Sequence, residues 1–285
     1  MPVDTGKRTL RHESPQLSAG VVGAGQVGSA LWKVLAPVFD VVPLDPAQGY
    51  TLDRPYLDHL HFCVPYDEEF RTTVAFWVKQ TEPQAVILHS TVPPGTTRIV
   101  SGDLTTMKLD PYLAYSPVLG YHPHLYDHLR SFLKPVAGLT PEATQVVAGI
   151  MTEASVQCAI FDTPEEVEWA HALFSVRQGL DYAWAVAVDS LCRHDGLAFD
   201  QVHLGWTQLM NLGHTKIGQD GLCFPMSRPG TPLAYEGVPS IAETIWGTRY
   251  MVPELEELRC LIRHIVTATI DSTHQIPPGI AEDNV

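Results

Sequence analysis

The stretch "LSAGVVGAGQVGSALWKVL", residues 17–35, leaves a chain few choices. A short β-branched run ends on Gly23, Gly25 and Gly28, and apolar residues at helical spacing then continue until Pro37. A strand passing through a tight turn directly into a helix satisfies this order. The G-x-G-x-x-G spacing suits three needs, one for each glycine, namely the turn itself, close approach of the backbone to a ligand, and close packing of helix on strand. The helix N-terminus adds unpaired N–H groups and a partial positive charge, which suit the pyrophosphate of a dinucleotide.

Asp45 closes the next apolar run, "VFDVVPLD", 22 residues after Gly23 (45 − 23). A carboxylate there accepts both ribose hydroxyls and repels a 2′-phosphate, so the expected cofactor is NAD rather than NADP. Gly23, Gly25, Gln26, Val27, Gly28 and Asp45 are the expected contacts. Taken singly, the glycines also fit a structural turn, and Asp45 a solvated one before Pro46.

"HLHFCVP" and "AVILHS" read as further strands, with "DEEFRTTVAFWVKQ" as the helix between them. "YLAYSPV", "LKPVAGL" and "VQCAIF" continue the strand signal, and "PEATQVVAGIMTEA" reads as a helix. The alternation predicts an α/β fold with a doubly wound, Rossmann-type parallel sheet. From Thr163 the pattern becomes one long helix, with Thr163 as cap, Glu166 completing a capping box and Gly196 as the stop. Its apolar residues cover most of the circumference, which predicts burial in a second domain or at a subunit interface. The expected organisation is a flexible lead at 1–16, a dinucleotide-binding domain at 17–162, a helical dimerisation and substrate domain at 163–270 containing a further helix over "VPELEELRCLIRHIVTATI", and a flexible tail at 271–285.

A net charge of −14 offers no basic surface for nucleic acid. With 45% hydrophobic and 18% charged residues the chain reads as globular, and no apolar run is long enough to span a bilayer. Five cysteines, Cys63, Cys158, Cys192, Cys223 and Cys260, are odd in number and form no C-x-x-C pair, which favours reducing cytoplasm over a disulfide framework or zinc site. The histidines of "YHPHLYDH" have no second ligand cluster to complete a metal shell, so no metal is expected.

Four segments in the same order, "GVVGAGQVGSAL", "HFCVPYD", "HSTVPPGTTR" and "GLCFPMS", resemble the UDP-glucose/GDP-mannose dehydrogenase family over roughly residues 17 to 227. The resemblance implies that Val64, Pro65, Ser90 and Thr91 line the nicotinamide side of the cofactor. It implies that the long helix is a homodimerisation helix. It also implies that Cys223 is the thiol that takes up an aldehyde before a second hydride leaves and water releases an acid. The supporting residues depart from the family pattern. Met226 and Ser227 replace the lysine and aspartate after "CFP", Val118 stands for the catalytic glutamate, and Glu168 and Ala172 stand for the helix lysine and asparagine. The family's third domain is expected to have no counterpart here. The two-domain length also resembles β-hydroxyacid dehydrogenases.

Glu168, His171, Ser175 and Gln178 follow one another at spacings of three and four and share one stripe of the long helix. His171 could serve as general base with Glu168 orienting it; the alternative is a hydrogen-bonded helix face at a dimer contact. Ser116, Tyr121, His122 and His124 follow a strand end where ligands of open α/β sheets bind, and with Arg177 or Arg228 they are expected to hold a substrate phosphate or carboxylate, or else to form a structural loop. The expected activity is NAD-dependent oxidation of an alcohol on a sugar-like, possibly nucleotide-linked, substrate. The alternatives are a two-electron dehydrogenase, reductase or transient-oxidation epimerase, and an NAD-binding protein without catalysis.

Overall fold

In the computed structural model, Ser18–Val22 forms strand β1, Gln26–Leu35 helix α1 and Asp40–Leu44 strand β2, as the glycine-punctuated sequence requires. Then follow β3 (His59–Phe62), α2 (Phe70–Thr81), β4 (Ala85–Leu88), α3 (Thr96–Thr106), β5 (Tyr112–Tyr115), α4 (Leu125–Ser131), β6 (Lys134–Gly138), α5 (Pro141–Glu153), β7 (Cys158–Ile160), α6 (Pro164–Asp195) and α7 (Trp206–Lys216). The structure describes residues 16–228 apart from Asp53, Tyr121 and His122, and excludes the side chains of residues 175, 176, 178–180, 182 and 183. Ser175 and Gln178 of the polar stripe, Tyr121, His122, Cys260 and the expected C-terminal helix therefore lie outside the described part.

The sheet order is β2-β1-β3-β4-β5-β6-β7. β2 and β3 flank β1, so the chain reverses its winding there and opens a crevice at the carboxyl ends of β1 and β3. The strands from β2 to β5 are parallel, as the doubly wound pattern predicts, and β6 runs antiparallel to β5. Only a connection that crosses the sheet returns a strand parallel to its neighbour. The short α4 stays beside α1, burying Leu125 and Leu129 in the same cluster as Leu31 and Leu35, and the chain re-enters the sheet from the edge it left.

Strand alternation sorts the core into two layers. Leu60 and Phe62 of β3 join Val22, Leu88, Phe70 and Leu104 on one face. Each such side chain contributes about 1.5–3 kcal/mol by its removal from water. The opposite face holds Val21, Leu31, Leu35 and Met151, and into that layer β3 also points His59 and His61, both buried.

The long helix starts as its sequence demands. The Glu166 amide donates to Thr163 Oγ1 at 3.3 Å and the Thr163 amide to Glu166 Oε2 at 3.1 Å, a reciprocal capping box. It stops at Gly196, whose φ of +68° lets the Leu197 amide reach the Cys192 carbonyl at 2.8 Å. The boundary between two compact units falls between His171 and Ala172, inside α6 rather than before it, because Val167, Glu168 and His171 find their partners in the first unit. Further along, Phe174, Trp184 and Leu191 are 57%, 63% and 55% exposed on the single chain. After Gly196 the chain makes a π-helical turn, Asp200–Gly205, and continues as α7. No described helix is long and apolar enough to cross a membrane.

Candidate functional site

At the end of β1 the chain turns through Gly23, whose φ is +90° and whose missing Cβ would lie 2.9 Å from Val64 and 3.0 Å from the Cys63 carbonyl. At Gly28 a Cβ would stand 1.8 Å from the Gly23 carbonyl oxygen, so α1 lies on the turn as only glycine permits. Gly25 differs: a Cβ there meets nothing within 4 Å, and its missing side chain opens outward. Gln26, Val27 and Gly28 form the first turn of α1, where N–H groups have no intrahelical acceptor. Beside them, Asp45 Oδ2 accepts from the Ala24 amide at 2.9 Å and from Gln48 Nε2 at 3.1 Å. A glycine cradle, a helix N-terminus and an adjacent carboxylate together fit the diphosphate and adenosine ribose of a dinucleotide.

The next strand ends are tied to one another. Ser90 is buried, and its hydroxyl donates to the Val64 carbonyl, so it joins the loops after β3 and β4 instead of offering a cofactor contact. Val64 and Thr91 are half-buried and Pro65 is exposed. The loop from Thr91 runs to Gly95, whose φ of +89° starts α3. Glu168 of α6 seals that start, accepting from the Gly95 amide at 2.5 Å, the Thr97 amide at 2.9 Å and Thr97 Oγ1 at 2.6 Å. Burial pushes the Glu168 carboxyl above its usual pKa, against the bonds from Thr97 and Gly95. Glu168 therefore caps α3 and does not orient His171, a correction to its expected role.

His171 instead meets Tyr115, which sequence reasoning missed: Nδ1 lies 2.8 Å from the phenol oxygen. Burial, and next the charge of Lys134, lower the His171 pKa from 6.5 to about 4. Ser116 is fully buried, its hydroxyl donates to the Pro135 carbonyl at 2.8 Å, and it is thus part of the core rather than a substrate contact. Its carbonyl ends a row of buried rings. His59 Nδ1 lies 2.8 Å from His61 Nε2, His61 Nδ1 lies 2.9 Å from His89 Nε2, and His89 Nδ1 lies 2.5 Å from Ser116 O. The Lys134 ammonium donates to the Ser116 and Pro117 carbonyls at 2.8 and 2.7 Å, and burial brings its pKa down from 10.5 to about 7. His124 is exposed at the start of α4, and Val118 lies in the apolar cluster under α1.

In the second unit Cys223 is exposed, with Sγ 3.8 Å from Thr215 Oγ1 and 3.8 Å from the Asn211 carbonyl. The Asn211 amide clamps the following residue, donating to the Phe224 carbonyl at 2.9 Å and accepting from the Phe224 amide at 2.8 Å. Arg177 pairs with Asp181 one turn along α6 at 3.1 Å, an exposed contact of small energetic weight, and Arg228 reaches Asp200 at 2.9 Å. The first unit thus gathers the glycine turn, Asp45, Val64, Thr91, Tyr115 and His171 toward the carboxyl edge of the sheet.

Neither a family model nor a curated protein matches this sequence. Solved structures do. The UDP-D-ManNAc dehydrogenase of Pyrococcus horikoshii is 15% identical, with a TM-score of 0.67 over 91% of this chain and 71% of that one. A UDP-glucose dehydrogenase of Pyrobaculum islandicum is 15% identical, with a TM-score of 0.62 over 92% and 70%. The 3-hydroxyisobutyrate dehydrogenase of Mycobacterium tuberculosis, solved with L-serine, is 13% identical, with a TM-score of 0.60 over 88% and 94%. The chain shares the fold of these dehydrogenases.

Proposed function

We propose that the protein binds NAD at the β1–α1 turn and carries out a two-electron oxidation or reduction at a CH–OH group of a sugar-like or small hydroxylated substrate. The observation that carries this reading is Gly28, where the Gly23 carbonyl leaves no room for a side chain, with the Asp45 carboxylate bonded to the same turn. Bound NAD supplies the hydride acceptor: CH–OH and NAD+ give C=O, NADH and a proton. The protein's share is to hold the pyrophosphate on the α1 amides, to select against a 2′-phosphate with Asp45, and to set Thr91 and His171 at the strand ends.

Two electrons rather than four follow from the residues that an acid-forming reaction needs. Cys223 lies beside a hydroxyl and a carbonyl, and Met226 and Ser227 stand where the family has the lysine and aspartate that support the thiol. Glu168, at the position of the family's helix lysine, is committed to the α3 cap. We also propose a homodimer through the second unit, supported by the exposed apolar side chains Trp184, Leu191, Trp206 and Leu209 on its helices.

The test is calorimetric titration with NAD and NADP, followed by turnover assays with UDP-glucose, UDP-N-acetylmannosamine and 3-hydroxyisobutyrate. Binding of NAD at least about tenfold tighter than NADP, with one NADH per substrate, is expected. Equal binding of the two would overturn the role of Asp45, and two NADH with a carboxylate product would overturn the two-electron assignment. Light scattering that gives a monomer mass would remove the dimer.

A further inference from the structure

The turn after β2 brings its last polar side chain back onto its first. Asp45 precedes a single helical turn, Pro46–Gln48, with proline at the first position, and Gly49 ends that turn at a φ of +82°. Two backbone bonds close the loop, from the Asp45 amide to the Tyr50 carbonyl at 3.1 Å and from the Tyr50 amide to the Asp45 carbonyl at 3.0 Å. The Tyr50 ring meets Trp32 of α1 edge-on, which ties the loop to the helix. An aspartate in front of a helical turn ordinarily uses its side chain to accept from an amide of that turn. Asp45 does not: the Gln48 amide donates to its backbone carbonyl at 3.0 Å, and its side chain makes no cap.

The carboxylate is thereby released for other partners. Its Oδ2 takes the Ala24 amide from the glycine turn at 2.9 Å and the Gln48 side-chain amide from its own loop at 3.1 Å. Each carboxylate oxygen has two lone pairs, so these donors fill Oδ2, while Oδ1 has no partner among the described residues. A carboxylate only accepts, so Gln48 must turn its nitrogen to Asp45. Held by two donors, the group cannot rotate about its Cβ–Cγ bond without losing both. A ribose diol brings hydroxyl donors to an acceptor already fixed in place. A 2′-phosphate brings acceptor oxygens and negative charge to a carboxylate that cannot swing aside.

Resting on the NAD-dependent reading above, we propose that Gln48 is a positioning residue for the adenosine ribose, pinning Asp45 so that Oδ1 receives the diol. The preference for NAD over NADP then belongs to the Asp45 and Gln48 pair rather than to Asp45 alone. The Ala24 bond anchors the same carboxylate to the glycine turn, so the loop also sets the spacing between the ribose acceptor and the pyrophosphate cradle.

The experiment uses the full chain and calorimetric titration with NAD and NADP of wild type, Gln48→Met, Asp45→Ala and the double variant. Methionine keeps the length of the glutamine side chain and removes its donor. Gln48→Met is expected to weaken NAD binding by about three- to tenfold, the span of one ordinary hydrogen bond, without weakening NADP, so the selectivity narrows by that factor. Because Gln48 acts through Asp45, adding Gln48→Met to Asp45→Ala is expected to change neither affinity further. A second readout needs no ligand. In the 15N-labelled unliganded protein the Gln48 side-chain amide signals, assigned by their absence in Gln48→Met, are expected to move in Asp45→Ala. Unchanged selectivity in Gln48→Met, an equal loss whether or not Asp45 is present, or unmoved amide signals would each overturn the proposal. Failure of the wild type to bind NAD would sink the preceding reading, and with it the ribose role, whereas the amide signals alone decide whether Gln48 holds Asp45.

Discussion

Lys134→Met replaces a buried ammonium with an unbranched apolar chain of similar length. In the folded protein the Lys134 pKa falls from 10.5 to about 7, chiefly through burial. That fall corresponds to about 5 kcal/mol, at about 1.4 kcal/mol for each pH unit. Between these two values the unfolded chain binds a proton that the folded chain does not, so stability rises with pH across the window and is lost as pH falls toward 7. Methionine abolishes that dependence. It also removes the donor to the Pro117 carbonyl, while the Ser116 carbonyl keeps His89 Nδ1, a loss of about 1–3 kcal/mol. The variant is therefore expected to be more stable than wild type by about 2–4 kcal/mol near pH 7, and less stable near pH 10, where the lysine is neutral and still donates. Urea denaturation of both proteins at steps from pH 7 to about 10 measures this, and their difference cancels every other titrating group. Parallel stability curves across that range would refute the reasoning.

Gly25→Ala is expected to fold normally and weaken NAD binding, because its Cβ enters open space, whereas Gly28→Ala must displace the Gly23 carbonyl and is expected to lower the melting temperature as well; calorimetry and thermal melts separate the two. Burial lowers the His59 pKa from 6.5 to about 4, so the unfolded chain takes up protons first as pH drops, and the stability owed to His59 is expected to fall by about 3 kcal/mol between those values, beside the losses from His61, His89 and His171, whose pKa values burial also lowers. His59→Phe should flatten that part of an acid denaturation profile. Glu168→Gln keeps one acceptor oxygen, which stays on the two Thr97 donors, and turns its amide nitrogen to the Gly95 amide, at a cost of about 1–3 kcal/mol, so hydrogen exchange at the Gly95 amide should accelerate more than at Thr97. Asn211→Ala releases the clamp on Phe224, and labelling of Cys223 by a maleimide, measured against Cys223→Ser, should become faster.

What the sequence discloses is what neighbouring residues decide. The glycine turn with Asp45, the capping box of Thr163 and Glu166 and the stop at Gly196 are local rules, and the structure contains each of them. Helix α3 escapes such reading because "TTRIVSGDLTT" has little apolar periodicity; Glu168, 71 residues away from Thr97, stabilises its start. For the same reason a glutamate that looks like an acid–base partner of His171 turns out to be a cap. "HLHF" reads correctly as a strand, but its histidines find a partner in His89, 28 residues beyond His61 and just past the end of β4. The register of "GLCFP" on α7 likewise depends on Asn211, which no spacing rule selects.

The three rings between His59 and Ser116 obey a rule familiar from ice. A carbonyl can only receive, so His89 must point its hydrogen at Ser116, His61 must point its own at His89, and His59 must point its own at His61. One acceptor at the far end thus dictates a single orientation for the whole file. It leaves one bare nitrogen, His59 Nε2, which is buried and has no partner among the described residues. A proton entering there could travel ring by ring to His89 but not beyond it, where the carbonyl and the ammonium of Lys134 stand. The interior of this sheet therefore has a polarity along its rings that no exchange of tautomers can average away.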